Sequence, residues 1–208
     1  SFWPLKKAQT DSNTTLSTNI PSPETIVFIL IAEIGALVVA YPAIKEARKQ
    51  HPKSRICFIT APAGLQTLEL MGFEKEDIFL LETSSIKSLL KGIVNIRFHF
   101  KGKRVSAVVL EPFTRFSTLL SAWIGASKRI GCYRFLNEGV YLGNILTHRL
   151  VYNPHLHMSQ TYFALAKALI EPDSAKPLLK EYIPSQIKNR LKINTTEKER
   201  QTLSLIHI

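Results

Sequence analysis

Acidic side chains are few. Against 27 Lys and Arg there are 16 Asp and Glu in 208 residues, a formal net charge of +11 with a pI near 9.7. That excess points to a polyanionic partner: nucleic acid, an anionic membrane face or a phosphorylated substrate. Cysteine is nearly absent. Cys57 and Cys132 lie in apolar, strand-like segments (RICFIT, RIGCY) without ligand spacing to anything, so they read as core thiols in a reducing compartment. The chain has no Gly-x-Gly-x-x-Gly, no Gly-x-x-x-x-Gly-Lys-[Ser/Thr], no Gly-x-Ser-x-Gly and no Asp-x-Asp pair. A dinucleotide fold of the usual kind, a P-loop, a hydrolase nucleophile elbow and a metal–nucleotide pair are therefore unsupported. No signal-peptide pattern is visible. The chain begins at Ser1 rather than Met, and QTLSLIHI at its end resembles translated sequencing-adapter DNA. The natural start is therefore expected upstream, and the gene is expected to run on.

What is present is ordinary globular composition, 45% hydrophobic and 21% charged, with room for one domain and part of a second. Residues 1–24, rich in Ser, Thr, Asn and Pro, read as a flexible arm. Phe2, Trp3, Lys6 and Lys7 within it read either as disordered tail or as the interfacial end of a membrane anchor. From Ile26 strands and helices alternate. IVFILI is a β-branched run without alternation, the mark of a strand buried on both faces. Leu37, Tyr41, Ile44 and Ala47 then recur at helical spacing, up to a basic end at KEARKQHPK that suits a helix C-terminus. RICFIT, DIFLLE, SAVVLE and KRIGCY read as four further strands. LQTLELMG, stopped by Gly72, SIKSLLKGIVNIRFHF, FSTLLSAWIG, closed by Gly125, and a segment from about Met158 to Ile170 read as helices. RFLNEGVYLGN between them reads as a polar loop. This order predicts an α/β, Rossmann-like parallel sheet with right-handed crossovers over residues 25–170. Residues 171–208 read as a proline-bearing linker and the truncated start of a further domain.

One rival concerns ILIAEIGALVVAYPAI. Ile26 to Ile44 is 19 residues, just long enough to span a bilayer, with a positive flank in KEARKQHPKSR. Its eleven Ile, Val, Leu and Phe residues favour insertion, by roughly 0.3–0.6 kcal/mol each. A mid-span Glu33 costs about 3 kcal/mol, and Gly35 and Pro42 add to that cost. Hydropathy balances near zero. The break at Glu33-Ile34-Gly35, followed by further strand–helix units, decides for the sheet.

In an open parallel sheet ligands bind beyond the carboxyl ends of the strands. Two carboxylates fall there: Glu33 after strand one and Glu111 after strand four. Each reads as a working group or as a capping or paired structural residue. Gly35 follows Glu33 where a helix begins, a position that favours an anion. Arg115, in EPFTR, could clamp a phosphate or pair with Glu111. Lys128, Arg129 and Arg134 flank strand five. With Arg97 to Arg104 they supply much of the basic excess, the latter cluster reading as a solvated helix end. His155 and His157 in NPHLH lack the companions a metal site needs, so no metal is expected, and His157 reads as a polar contact to a substrate.

The segments ILIAEIGALVVAYPAIKEARKQHPKSRICFIT, VVLEPFTRFSTLLSAWIGASKRIGCYR and LTHRLVYNPHLHMSQTYFALAKAL together resemble the acceptor-side half of glycosyltransferase family 9, the bacterial heptosyltransferases of lipopolysaccharide assembly. The likeness covers roughly residues 26–170. It implies a GT-B architecture of two Rossmann-like domains, the first receiving the acceptor and the second holding a nucleotide-activated sugar. The implied reaction is inverting and metal-independent, moving a heptose or similar sugar onto a phosphorylated lipid or oligosaccharide acceptor, with no cofactor besides the nucleotide-sugar substrate. It further implies acceptor contacts at Gly35, Glu111, Arg115, Arg134 and His157, a basic surface facing an anionic membrane, and a cytoplasmic site peripheral to the inner membrane. Alone, the chain is expected to be inactive, the donor being reached only through a missing C-terminal domain. The family commonly has Gly-Asp where this chain has Gly35-Ala36, and a Lys where it has Leu30. The usual base is thus absent. Either the protein is catalytically altered or Glu33, three residues before Ala36, supplies the carboxylate. A branch of the family with Ala-Glu-Met-Gly-Ser at this point is similar to the second option. A glutamate, with an ordinary pKa of about 4.3, is charged at neutral pH and able to take a proton. Rival functions are a non-enzymatic anion- or membrane-binding module, a membrane-anchored protein, and another GT-B transferase. Nucleic acid is not expected, because interleaved aromatics and reader motifs are lacking.

Overall fold

The computed structural model describes residues 23–32, 34–134 and 145–171, with the side chains of Ile34 and Arg134 outside that description. The apolar run at the start of the domain divides as the break at Glu33 predicts. Thr25–Ile29 forms β1, buried at every position, and Ile34–Gln50 forms α1. Among the described residues no helix is long and apolar enough to cross a membrane. Along β1 the pleat sends Ile26 and Phe28 into one core and Val27 and Ile29 into another, so after Thr25 the strand, covered on both faces, is apolar throughout.

The chain continues through β2 (Arg55–Thr60), α2 (Leu65–Leu70), β3 (Ile78–Leu80), α3 (Ile86–Phe100) and β4 (Val105–Val109). It then passes through α4 (Arg115–Trp123), β5 (Lys128–Arg134), β6 (His148–Val151) and α5 (Met158–Lys167). The sheet has the order β3-β2-β1-β4-β5-β6, and all its pairings are parallel. The expected Rossmann-like α/β sheet is therefore present. α1 and α5 cover one face, where Leu37, Ile44, Tyr162 and Leu165 meet Phe28 and Phe58; α3 and α4 cover the other, with Phe100 and Leu120 against Val27 and Val109.

Local chemistry sets the boundaries. Ser85 caps α3 by accepting from Ser88 N at 3.1 Å. Gly72 and Gly125 take φ of 78° and 80° where α2 and α4 end, the left-handed turn that their lack of a Cβ permits. One element escaped the sequence pattern: β6, whose His148 and Arg149 hide a short edge strand within THRLVYN. The arm over residues 1–22, the polar loop over 135–144 and the expected linker beyond Glu171 lie outside the described residues.

Candidate functional site

Because every strand is parallel, all carboxyl ends fall on one edge of the sheet. The chain works outward from β1 to β3, then returns to place β4 on the other side of β1. The loops after β1 and β4 thus leave in opposite directions, opening the crevice in which such sheets bind ligands. Residues 30–32 and 110–114 flank that crevice.

Glu111 organises it. This carboxylate is buried. Its Oε1 accepts from the backbone N–H groups of Ile31 at 2.8 Å and Ala32 at 2.7 Å, and its Oε2 accepts from the Ser117 hydroxyl. A single side chain therefore joins the end of β4, the first turn of α4 and the loop that leads directly to Glu33. Of the two readings open to Glu111, the geometry is the structural one: both oxygens are engaged inside the domain. Among the described residues no cation pairs with it. The two amides gave no sequence signal, since their bonds join residues 79 and 80 positions apart.

The pairing once open to Arg115 is not made. Arg115 is exposed in the first turn of α4, with no ion pair among the described residues. Thr114 before it provides no side-chain cap to the first N–H groups of α4. Gly35 lies exposed in the first turn of α1, where an added Cβ would meet nothing within 4 Å. Glu33 lies outside the described residues, as does the side chain of Arg134, whose backbone ends β5 on this same edge.

The loop after β6 completes the rim. His157 is the N-cap of α5. Its Nδ1 accepts from Ser159 N at 3.2 Å and lies 2.7 Å from Ser159 Oγ, while His157 N donates to Gln160 Oε1 at 3.1 Å. A neutral ring that accepts at Nδ1 carries its hydrogen on Nε2, leaving one donor for a ligand. Phe113, after β4, meets Tyr152, after β6, edge to face at 5.4 Å, bridging the two loops. His155 is exposed, and among the described residues no three His, Cys, Asp or Glu side chains are placed to hold a metal ion.

Other basic residues lie at the far edge. Lys128, at the start of β5, donates to the carbonyls of Leu169 at 2.8 Å and Glu171 at 2.7 Å. Arg129 donates to those of Ile145 and Ala126, both at 2.6 Å. They fasten the ends of other elements and do not reach the crevice. The Arg97 to Arg104 cluster is likewise at the end of α3 and the start of β4. Burial pushes the Cys57 and Cys132 thiols up to about 12, as inert core thiols require.

No family profile and no curated protein sequence matches the chain. Solved structures do. A glycosyl transferase family 9 protein from Veillonella parvula is 17% identical over 89% of this chain and 49% of its own, with a TM-score of 0.60. The E. coli ADP-heptose lps heptosyltransferase II is 17% identical over 88% of this chain and 50% of its own, with a TM-score of 0.56. E. coli heptosyltransferase WaaC with ADP is 9% identical over 73% and 49%, again at 0.56. The chain spans about half the length of these structures, and what it shares with them is the fold.

Proposed function

We propose that this chain is the acceptor-side domain of a glycosyltransferase of the heptosyltransferase type. It would move a heptose or similar sugar from a nucleotide-diphosphate donor to a lipopolysaccharide-type acceptor. The carrying observation is the position of the crevice: the β1–α1 and β4–α4 loops flank the switch point of a sheet whose structural neighbours include two heptosyltransferases and a family 9 glycosyl transferase. The donor is held by a second domain, in keeping with the doubled length of those neighbours, and is a substrate rather than a cofactor. The reaction inverts the anomeric centre without a metal.

In this reading Glu33 takes the proton from the acceptor hydroxyl. The freed oxygen attacks the anomeric carbon, and the bond to the diphosphate breaks with its electron pair leaving on phosphate oxygen. Glu111 holds the amides of Ile31 and Ala32, the two residues that precede Glu33 in the chain. Arg115, Arg134 and the open turn at Gly35 receive phosphate groups of the acceptor, and His157 Nε2 donates to a sugar or phosphate oxygen. The site works in the cytoplasm at an anionic inner-membrane surface, where a lipid-borne acceptor is found.

The test is Glu33→Gln in the whole protein, assayed with an ADP-heptose donor. A lost general base lowers kcat by about 10²–10⁴-fold; normal turnover would sink the assignment. One observation favours a second reading. Gly35-Ala36 stands where the family commonly has Gly-Asp, which would suit a non-enzymatic anion-binding module. Absence of any transfer by the whole wild-type protein, with salt-sensitive binding to every polyanion alike, would favour that module.

A further inference from the structure

Among the described residues, half of the exposed large hydrophobic side chains stand on α3 and α4. α3 buries Ile96 and Phe100 against the sheet, yet Ile86, Leu90, Val94 and Phe98, each four residues on from the last, stand outward, Ile86 at 77% and Phe98 at 65% exposure. Spacing of four keeps them on one side of the helix. α4 repeats the device: Leu119 and Trp123 stand outward four residues apart, continuing the line that begins at Arg115. The two helices cover the same sheet face and touch where Arg97 Nη1 donates to Ile124 O at 3.4 Å. Lys87 and Lys91, both exposed, sit among the apolar residues of α3. Between Glu82 and Glu138 the only acidic residue is Glu111, which is buried, so this layer presents cations alone.

We propose that the outer face of α3 and α4 is a docking surface for an anionic lipid bilayer, with Ile86, Leu90, Phe98 and Trp123 entering the headgroup boundary and Lys87, Lys91 and Arg97 meeting lipid phosphates. A surface apolar at its centre and cationic throughout is complementary to that partner, whose outer layer is anionic and whose next layer is hydrocarbon. Lysine stems lie along apolar surface while their charges reach for phosphate. A second copy of this chain fits worse, because two faces bearing only cations repel. Residues 1–22 and 172–208 each carry more cations than acids, so they are no better matched in charge. Docking this way brings Arg115, and with it the crevice, to the membrane.

The proposal rests on the membrane-surface part of the function above, and its test reads binding rather than turnover. The 208-residue chain is floated with phosphatidylcholine vesicles containing or lacking phosphatidylglycerol. Three forms are compared: wild type, Phe98→Ser with Trp123→Ser, and Lys87→Glu with Lys91→Glu. All four positions are exposed, and thermal melts check that the variants fold. The wild type is expected to bind only the anionic vesicles, and each double variant to bind at least about 10-fold more weakly, as loss of insertion or of two cations requires. Binding unchanged in both variants would overturn this face while leaving a membrane role elsewhere. No binding by the wild type would overturn both. A vesicle-independent dimer dispersed by Phe98→Ser with Trp123→Ser would assign the face to a second copy and overturn the proposal.

Discussion

Glu111 shows how one residue's role depends on where its donors come from. As a carboxylate after a central strand it had two readings in the sequence. What separates them is a pair of backbone N–H groups from the β1–α1 loop, which no local pattern announces. Removing the side chain orphans those two donors and the Ser117 hydroxyl. Glu111→Ala is expected to lower stability by about 1–3 kcal/mol, the usual cost of leaving a hydrogen-bonding group without its partner. Glu111→Gln keeps an acceptor for the amides and offers its NH₂ to Ser117 Oγ, so it should cost less. Urea denaturation of the three forms measures both, and equal stability throughout would mean that water replaces the clamp. His51 carries a different liability. Both its ring nitrogens are buried without a partner, and burial, followed by the charge of Lys128, holds its pKa below the ordinary value. The folded ring therefore stays neutral where the unfolded ring, titrating near 6.5, takes a proton. This contribution to stability is complete above about pH 6.5 and is lost as pH falls from there through the lower folded value. His99 is shifted the same way, first by burial and then by Lys103 and Arg55, so His51→Leu should reduce the acid slope without abolishing it. Denaturation midpoints at stepped pH values give the slope; one unaltered by the substitution would place the acid sensitivity on other groups.

Most elements were legible because each obeys a single rule. β1, β2 and β4 are β-branched and lack polar alternation because helices cover both faces of the sheet. α2 and α4 end at glycines whose positive φ was written in their position after the last apolar residue. β6 was missed for an equally physical reason. As an edge strand of four residues it includes His148, whose burial is satisfied by polar contacts, with Nδ1 2.8 Å from Thr147 Oγ1 and Nε2 3.0 Å from Glu171 O. A strand stabilised by such bonds leaves no hydrophobic period to read. Lys128, Arg129 and Arg134 flank β5 as the sequence indicates, and a strand of seven residues carries its two ends to opposite edges of the sheet. Only Arg134 ends near the crevice.

At the scale of the whole molecule, charge acts over distances that no single pair explains. A net charge of +11 gives long-range attraction to any anionic surface, screened over roughly 8–10 Å at physiological salt. Vesicle binding by this chain is expected to rise with anionic lipid content and to fall several-fold between low and physiological salt. Co-sedimentation across a salt series checks it. Binding indifferent to salt would point to apolar insertion as the dominant contribution, with the cations of α3 dispensable.

The strand order has a consequence in time. β1 lies at the centre of the sheet, yet one of its two neighbours, β4, begins 80 residues later, with Thr25 beside Val105. As the chain leaves the ribosome, β1 and β2 can pair early, but the other edge of β1 waits, unpaired and apolar, until residue 109 has emerged. Such an edge is a template for pairing with another chain. The apolar edge of β1 is therefore exposed for as long as the chain is short of β4, and a nascent chain stalled within α3 would be in particular need of a chaperone.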